Sequence, residues 1–241
     1  MTPNLILLIP DKRDVERDAV AQAWEAAGGE VVRVGRFWDP PAVDAERVRV
    51  YGNDTFCLVL AEKLGLDLVT PDDRLMCAAG PALLRRTLAV ESLGDALQIG
   101  FPAFVKPVVP KQFAAAVYGT ASELMAATPG LPDDTEVFVS EIVSFKAEAR
   151  SFVLDGTVRT CAIYEGVGSL AEGSSFAARV AVEVDVPATC VVDVGLLPNG
   201  DWALIEFNAT WGAGLNGCDP RAAVECIERS CKLRAVEREP G

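Results

Sequence analysis

Short continuous apolar runs alternate with amphipathic stretches over the first seventy residues. Leu5-Ile6-Leu7-Leu8-Ile9 is stopped by Pro10-Asp11, which predicts a buried strand over 4–9. Val15, Ala19, Ala23 and Ala27 recur at spacing four beside Val20 and Trp24, the pattern of an amphipathic helix ended by Gly28-Gly29. Strands are expected over 30–34 and 47–51, then a helix over 54–64 capped by Asp54 with Gly65 beyond its end, then a short strand over 66–69. Such β-α-β alternation implies a small, mostly parallel sheet.

Thr70-Pro71-Asp72-Asp73 opens a different region. Helical segments are expected over 75–79 and 82–90. From Phe101 the pattern turns strand-rich, over 101–109, 136–142, 147–154, 157–164, 189–197 and 202–208. Asp155-Gly156 and Asn199-Gly200 are hairpin signals, because both favour positive φ at the central turn positions. The segment 164–175 carries Gly166, Gly168 and Gly173, and reads either as a mobile loop or as an ordinary surface connection. The charged end of the chain, from about Lys232, is expected to be disordered.

Composition narrows the chemistry. A chain of 241 residues, half of them hydrophobic, suffices for one large domain or two small lobes. The net charge of −13 speaks against a nucleic-acid partner and against docking on an anionic membrane. The opening apolar run is too short and lacks the basic leader of a signal peptide, and no stretch is long enough to span a membrane. The seven cysteines are scattered without a Cys-x-x-Cys pair, which suits a reducing cytoplasm and small core residues. With no histidine in the chain, triad hydrolysis and histidine-based zinc sites are excluded.

The most informative stretch runs from Val191 to Asn208. If Asn199 and Gly200 are the two central residues of the turn, Asp193 falls opposite Glu206, with Cβ atoms ~5 Å apart. Asn208 lies two residues on, on the same face. Like charges placed opposite each other are destabilising, and a hard cation between them removes the conflict. Mg²⁺ takes one or two carboxylates and completes its shell with water and phosphate oxygens. The alternative is a solvated hairpin face with incidental acids, against which the apolar neighbours argue.

Lys106 ends an apolar strand and Lys111 follows five residues later, placed either as surface charges or as point charges for the phosphates of a nucleotide. The strand over 136–142 continues into Val143 and is followed by Glu148 and Arg150, which share a strand face. An extended segment here can offer backbone groups to an adenine edge, and Glu148 can accept the ribose hydroxyls.

In this order the pieces resemble the ATP-grasp superfamily, especially its short stand-alone domain proteins, over roughly residues 102–217. The Glu206-Phe207-Asn208 run followed by Gly212 and Gly214 is the most specific piece. The resemblance implies an α/β (α+β) ATP-grasp fold over 73–232, a small Rossmann-like pre-ATP-grasp lobe over 1–72, and a flexible tail over 233–241. It implies ATP and Mg²⁺ (or Mn²⁺) as cofactors. Lys106 and Lys111 would contact phosphates, Glu141, Ile142 and Val143 would form the adenine hinge, and Glu148 would bind ribose. Asp193, Glu206 and Asn208 would be the metal ligands. Relatives often carry a basic residue two positions before the first metal aspartate, where this chain has Val191. They often have a lysine at the start of the central domain, where it offers Arg74, Arg85 or Arg86. Arg150, Arg159 and Arg179 are candidates to replace these contacts, with Arg150 and Arg179 as the catalytic pair. The implied activity is a carboxylate–amine (or –thiol) ligase acting through an acyl phosphate on a small-molecule or peptide carboxylate. An ATP-dependent small-molecule kinase and a nucleotide-binding module without turnover are the alternatives.

Overall fold

A computed structural model describes residues 4–235. The opening apolar run is continuous because it is covered on both faces. β1 (Ile6–Pro10) is the centre of a parallel sheet, flanked by β2 (Glu30–Val34) and β3 (Val48–Val50). Leu7 and Ile9 pack against Val20 and Trp24 of α1 (Val15–Ala26), while Ile6 and Leu8 pack against Phe56 and Leu60 of α2 (Asp54–Leu64). The cap of α2 is Asn53, whose side chain accepts from the Phe56 N–H at 3.0 Å, so Asp54 is the first helical residue and its carboxylate stays free of capping. Gly65 ends the helix in the left-handed region, and β4 (Leu66–Leu68) follows.

The stretch 82–90 is not one helix. It divides into α3 (Pro81–Leu84), stopped by Arg85 at φ 54°, and β5 (Leu88–Ser92). A short apolar run has no decisive period of its own, and here the ladder offered by a neighbouring strand decides it. Residues 75–78 form a single 3-10 turn. Then come α4 (Leu93–Ala96), β6 (Ala103–Pro107), β7 (Ala116–Tyr118), α5 (Ala121–Ala127) and β8 (Glu136–Ser140). The antiparallel order β5-β8-β6-β7 makes a central sheet with Val105, Leu124 and Val137 in its core.

The chain then builds a second antiparallel sheet from β9 (Ala147–Leu154), β10 (Thr157–Gly166), β11 (Thr189–Leu196) and β12 (Trp202–Asn208), in the order β10-β9-β11-β12. Between β10 and β11 lies α6 (Leu170–Glu183), so half of the segment read as a loop is helical. Ser169 caps it. Gly173 sits inside it because the Trp202 ring leaves no room, 2.9 Å from where a Cβ would stand. Ala177, Val180 and Ala181 of α6 cover one face of the sheet. The other face, with Phe152 and Val191, meets α1 and α7 (Pro220–Glu228). Full burial of a side chain such as Phe152 contributes about 1.5–3 kcal/mol.

β13 (Cys231–Leu233) returns to pair with β4, and Arg234 reaches Asp67 and Glu62. The chain is therefore held on the first lobe past Lys232; residues 236–241 of the expected tail lie outside the described residues. All seven cysteines are free, and five are buried in the cores. No helix among the described residues is long and apolar enough to cross a membrane.

The hairpin β11–β12 reaches the expected pairing by an unexpected route. The Leu197 N–H donates to the Asp201 carbonyl and the Gly200 N–H to the Leu197 carbonyl, so three residues, Pro198 to Gly200, form the loop. Only Gly200 has positive φ, at 93°. That loop aligns Leu196 with Trp202 and Val194 with Leu204. A bulge at Ile205 then shifts the ladder by one residue and sets Asp193 opposite Glu206.

Candidate active site between the two antiparallel sheets

Three adjacent strands deliver one row of charges. Arg150 on β9 lies opposite Asp193 on β11, which lies opposite Glu206 on β12. The Arg150 guanidinium grips Asp193 with both arms: Nε donates to Oδ1 at 2.9 Å and Nη2 to Oδ2 at 2.6 Å. Its Nη1 donates to the Gly214 carbonyl at 3.0 Å. The Asn208 amide bridges the two acids, donating to Asp193 Oδ2 at 3.1 Å and to Glu206 Oε1 at 3.0 Å. From the central sheet, Lys106 faces away from the buried Val105, and its Nζ comes within 3.3 Å of Glu206 Oε2 and 5.7 Å of the Phe138 ring centre.

The sequence predicts repulsion between two unneutralised acids, and the structure corrects that. Each carboxylate has its own cation, brought by a neighbouring strand or by the facing sheet. Asp193 is 1% exposed, and burial pushes its carboxyl above the usual range while the Arg150 hydrogen bonds pull the other way. Repulsion from Glu206 is a lesser contribution. Burial works against the charge of Arg150, but the bonds to Asp193 outweigh it and raise its pKa.

A cleft of about 420 Å³ opens beside this row. Its walls include Lys106, Phe138, Glu206 and Asn208, with Lys111 and Phe113 from the loop after β6. The first lobe and the turn after it contribute Asp54, Thr70, Asp72 and Asp73, and the loop after β12 contributes Trp211. Burial and the neighbouring Asp72 push the Asp73 carboxyl upward. Lys111, at φ 68°, reaches across to Asp54, Nζ to Oδ2 at 2.6 Å.

Four of the residues expected from the sequence, Lys106, Lys111, Glu206 and Asn208, thus line one cleft. Arg150 and Asp193 join them through the Asn208 amide, behind the wall. Glu148 shares their sheet face two residues from Arg150, and its Oε2 accepts from the Tyr164 hydroxyl at 2.6 Å. Burial and this bond raise the Tyr164 pKa, and its ring lies 5.8 Å from the Arg150 guanidinium carbon. Glu141 to Val143 form the crossing from β8 to β9. Glu141 is tied to Thr87 by its carboxylate (2.7 Å) and by its N–H (3.3 Å), whereas Ile142 and Val143 make no hydrogen bond among the described residues.

Arg179 is not brought to the cluster. It sits on α6, on the opposite face of the sheet, paired with Glu183. Arg159 pairs with Glu225. Of the arginines near the start of the central region, Arg74 pairs with Glu136 and Arg85 lies near Asp201. Arg86 donates to the Leu204 carbonyl at 2.6 Å and the Ile205 carbonyl at 3.4 Å, which props the bulge. Burial lowers its pKa.

The residues that sequence reasoning missed are the acidic rim (Asp54, Asp72, Asp73) and Trp211. A turn carrying adjacent acids was the available signal, but it reads equally as a boundary. The loop after β12 is held by the first lobe. Glu16 accepts from the Leu215 and Asn216 N–H groups at 3.0 and 2.7 Å, and the Tyr51 hydroxyl donates to the Ala213 carbonyl at 2.8 Å. Gly214 is required there, since a Cβ would stand 2.7 Å from the Glu16 carboxylate.

A family model described as an ATP-grasp domain, the second family of its clade, matches residues 83–226. Among solved structures, the chain is similar to the RimK domain protein ATP-grasp from Sphaerobacter thermophilus DSM 20745. The TM-score is 0.61 and the identity 17%, over 93% of this chain and 98% of that one. It is also similar to the ATP-grasp ligase PsnB complexed with a minimal precursor (TM-score 0.55, 14% identity, 94% and 99% covered). A third is the D-cycloserine synthetase DcsG (TM-score 0.54, 16% identity, 94% and 99% covered). At these identities the likeness is one of fold. No curated protein matches the chain.

Proposed function

The chain belongs to this ATP-grasp domain family, and from that premise we propose that it is an ATP-dependent ligase that activates a carboxylate and passes it to an amine. The observation that carries this reading is Lys106 facing Glu206 and Asn208 across the cleft between two antiparallel sheets. Lys106 and Lys111 are the cations for the phosphates. Ile142 and Val143, with their free backbone groups at the crossing between sheets, suit an adenine edge, and Glu148 suits the ribose hydroxyls. Arg150 is the cation nearest the proposed transfer point on the far side of the acids.

The donor set fits a hard divalent ion. Glu206 and Asn208 offer a carboxylate and an amide on the cleft wall, a protein share that suits Mg²⁺ (or Mn²⁺) completed by phosphate and water. No group of three or more acidic, cysteine or histidine side chains among the described residues forms a metal cage by itself. When bound, the ion would neutralise charge on the transferring phosphoryl group.

An amine acceptor is favoured over a thiol because Asp54, Asp72 and Asp73 line the cleft mouth and attract a cation. The neighbours PsnB, complexed with a peptide precursor, and D-cycloserine synthetase suggest peptides and small carboxylates as the pools to screen. The test is ADP release from ATP and Mg²⁺ against pooled carboxylic acids and amines. ADP formed only when both partners are present supports the ligase. A stable phosphorylated product formed without a nucleophile would make the chain a kinase, and binding without ADP would make it a nucleotide-binding module.

A further inference from the structure

Resting on the ATP reading above, we propose that Asp193 is not a metal ligand in this chain: it is the positioning residue that anchors Arg150, and one divalent ion rests on Glu206 and Asn208 as its only side-chain ligands.

The two acids of the hairpin are opposite in register but unlike in surroundings. The Asp193 side chain is 2% exposed and that of Glu206 38%. Glu206 and Asn208 line the cleft, and Asp193 does not. Both Asp193 oxygens are occupied by the Arg150 fork, and Oδ2 also accepts the Asn208 amide. A metal bond to Asp193 would have to displace one arm of that fork. It would leave a guanidinium whose side chain is only 12% exposed without its counter-charge, which a buried pair resists strongly.

The Asn208 amide adds an independent constraint. Its nitrogen donates to Asp193 and to Glu206, which turns its oxygen away from both and leaves that oxygen without a partner among the described residues. An ion accepting the amide oxygen therefore sits on the side away from Asp193. Glu206 has one oxygen on this amide and the other on Lys106, whose ammonium, on its flexible stem, can move to a phosphate as the ion arrives. Charge agrees with this arrangement. Arg150 and Asp193 cancel, leaving Glu206 as the single acid of the row at the cleft, enough for one Mg²⁺ completed by phosphates and water.

The test uses Mn²⁺ with a non-hydrolysable ATP analogue and has two arms. Anomalous diffraction from the unaltered protein should place one Mn²⁺ per chain, bonded to Glu206 and Asn208, with Asp193 still on Arg150. Paramagnetic titration should show Glu206→Gln losing Mn²⁺ affinity by about tenfold or more. Asp193→Asn should stay near the unaltered value yet lose kcat for ADP release with little change in the KM for ATP. A Mn²⁺–oxygen bond to Asp193, two Mn²⁺ per chain, or equal affinity losses in the two variants would overturn the proposal. If Asp193→Asn does not fold, the diffraction arm decides alone. An unaltered protein that binds no Mn²⁺–nucleotide would overturn the ATP reading and this inference together, whereas Mn²⁺ on Asp193 would overturn only the inference.

Discussion

Two ion pairs of equal length border the cleft, and they differ in almost everything else. Arg150 and Asp193 meet at 2.6 Å with side chains 12% and 2% exposed; Lys111 and Asp54 meet at 2.6 Å with side chains 70% and 36% exposed. The first is a two-armed fork between neighbouring strands of one sheet, with every partner fixed by the ladder. The second joins a loop to the first residue of a helix in another lobe. A buried charge that loses its partner has no water to replace it, so the first pair is locked. An exposed pair exchanges its partner for water at little cost, so the second is free to open. Distance alone does not separate a structural anchor from a movable cation; burial and the rigidity of the supporting backbone do.

The largest effect expected follows from breaking the locked pair on one side. Arg150→Met leaves the Asp193 carboxylate buried and uncompensated, and should cost about 3–5 kcal/mol in chemical denaturation. Removing both charges in Arg150→Met with Asp193→Leu should recover most of that loss while ADP release stays abolished. If the double variant is as unstable as the single one, the cost lies in packing and not in the orphaned charge.

Arg86 stands between the two extremes. It is half-buried and its partners are the Leu204 and Ile205 carbonyls, not an acid. Arg86→Met leaves acceptors unsatisfied at the bulge and should cost about 1–3 kcal/mol. Because the bulge sets Glu206 opposite Asp193, the variant should also weaken Mn²⁺ binding through a shifted register. Retained stability with unchanged Mn²⁺ affinity would show that the bulge holds itself.

The bulge also shows how far the sequence is legible. A hairpin signal at Asn199-Gly200 and two apolar runs suffice to bring Asp193 opposite Glu206. They do so through a two-residue turn that does not exist. The real loop is one residue longer, and Ile205 is one residue extra on β12, so the two differences cancel at the acids. Loop length is set by local turn chemistry, but the bulge depends on Arg86, which is more than a hundred residues away in sequence, and no periodicity reveals it. The same limit applies to the cations. Val191 offers no clue that Asp193 is neutralised from β9, since only the order of strands in the sheet brings Arg150 alongside. Arg179, one of three arginines put forward from sequence, falls on the other face because α6 was read as part of a loop. What is local, such as β1, α2 and the Asp155-Gly156 turn with φ of 47° and 72°, is read closely.

Turn chemistry can be tested against that reading. Gly200 alone adopts positive φ, so Gly200→Ala should cost about 1 kcal/mol, while Asn199→Ala, at ordinary φ, should cost less. Equal losses at the two positions, measured by thermal unfolding, would restore the two-residue turn and remove the need for a compensating bulge.

The smallest stability effect is expected at the exposed pair, and there it matters most that the effect is small. Asp54→Asn removes the charge that holds Lys111, and with both side chains largely in water it should change stability by less than about 1 kcal/mol. The consequence lies in binding. Lys111 lines the cleft, and a bound triphosphate offers it a stronger partner than one carboxylate. Asp54→Asn should therefore tighten ATP binding, because the pair no longer has to be broken first, whereas Lys111→Met should weaken it. Added salt screens exposed charges, so the gain in Asp54→Asn should shrink as ionic strength rises. Calorimetric titration of ATP into both variants at low and high salt separates the cases. Were Asp54→Asn to destabilise the fold as much as Arg150→Met, the two pairs would be alike after all, and Lys111 would be a structural cation with no freedom to meet a phosphate.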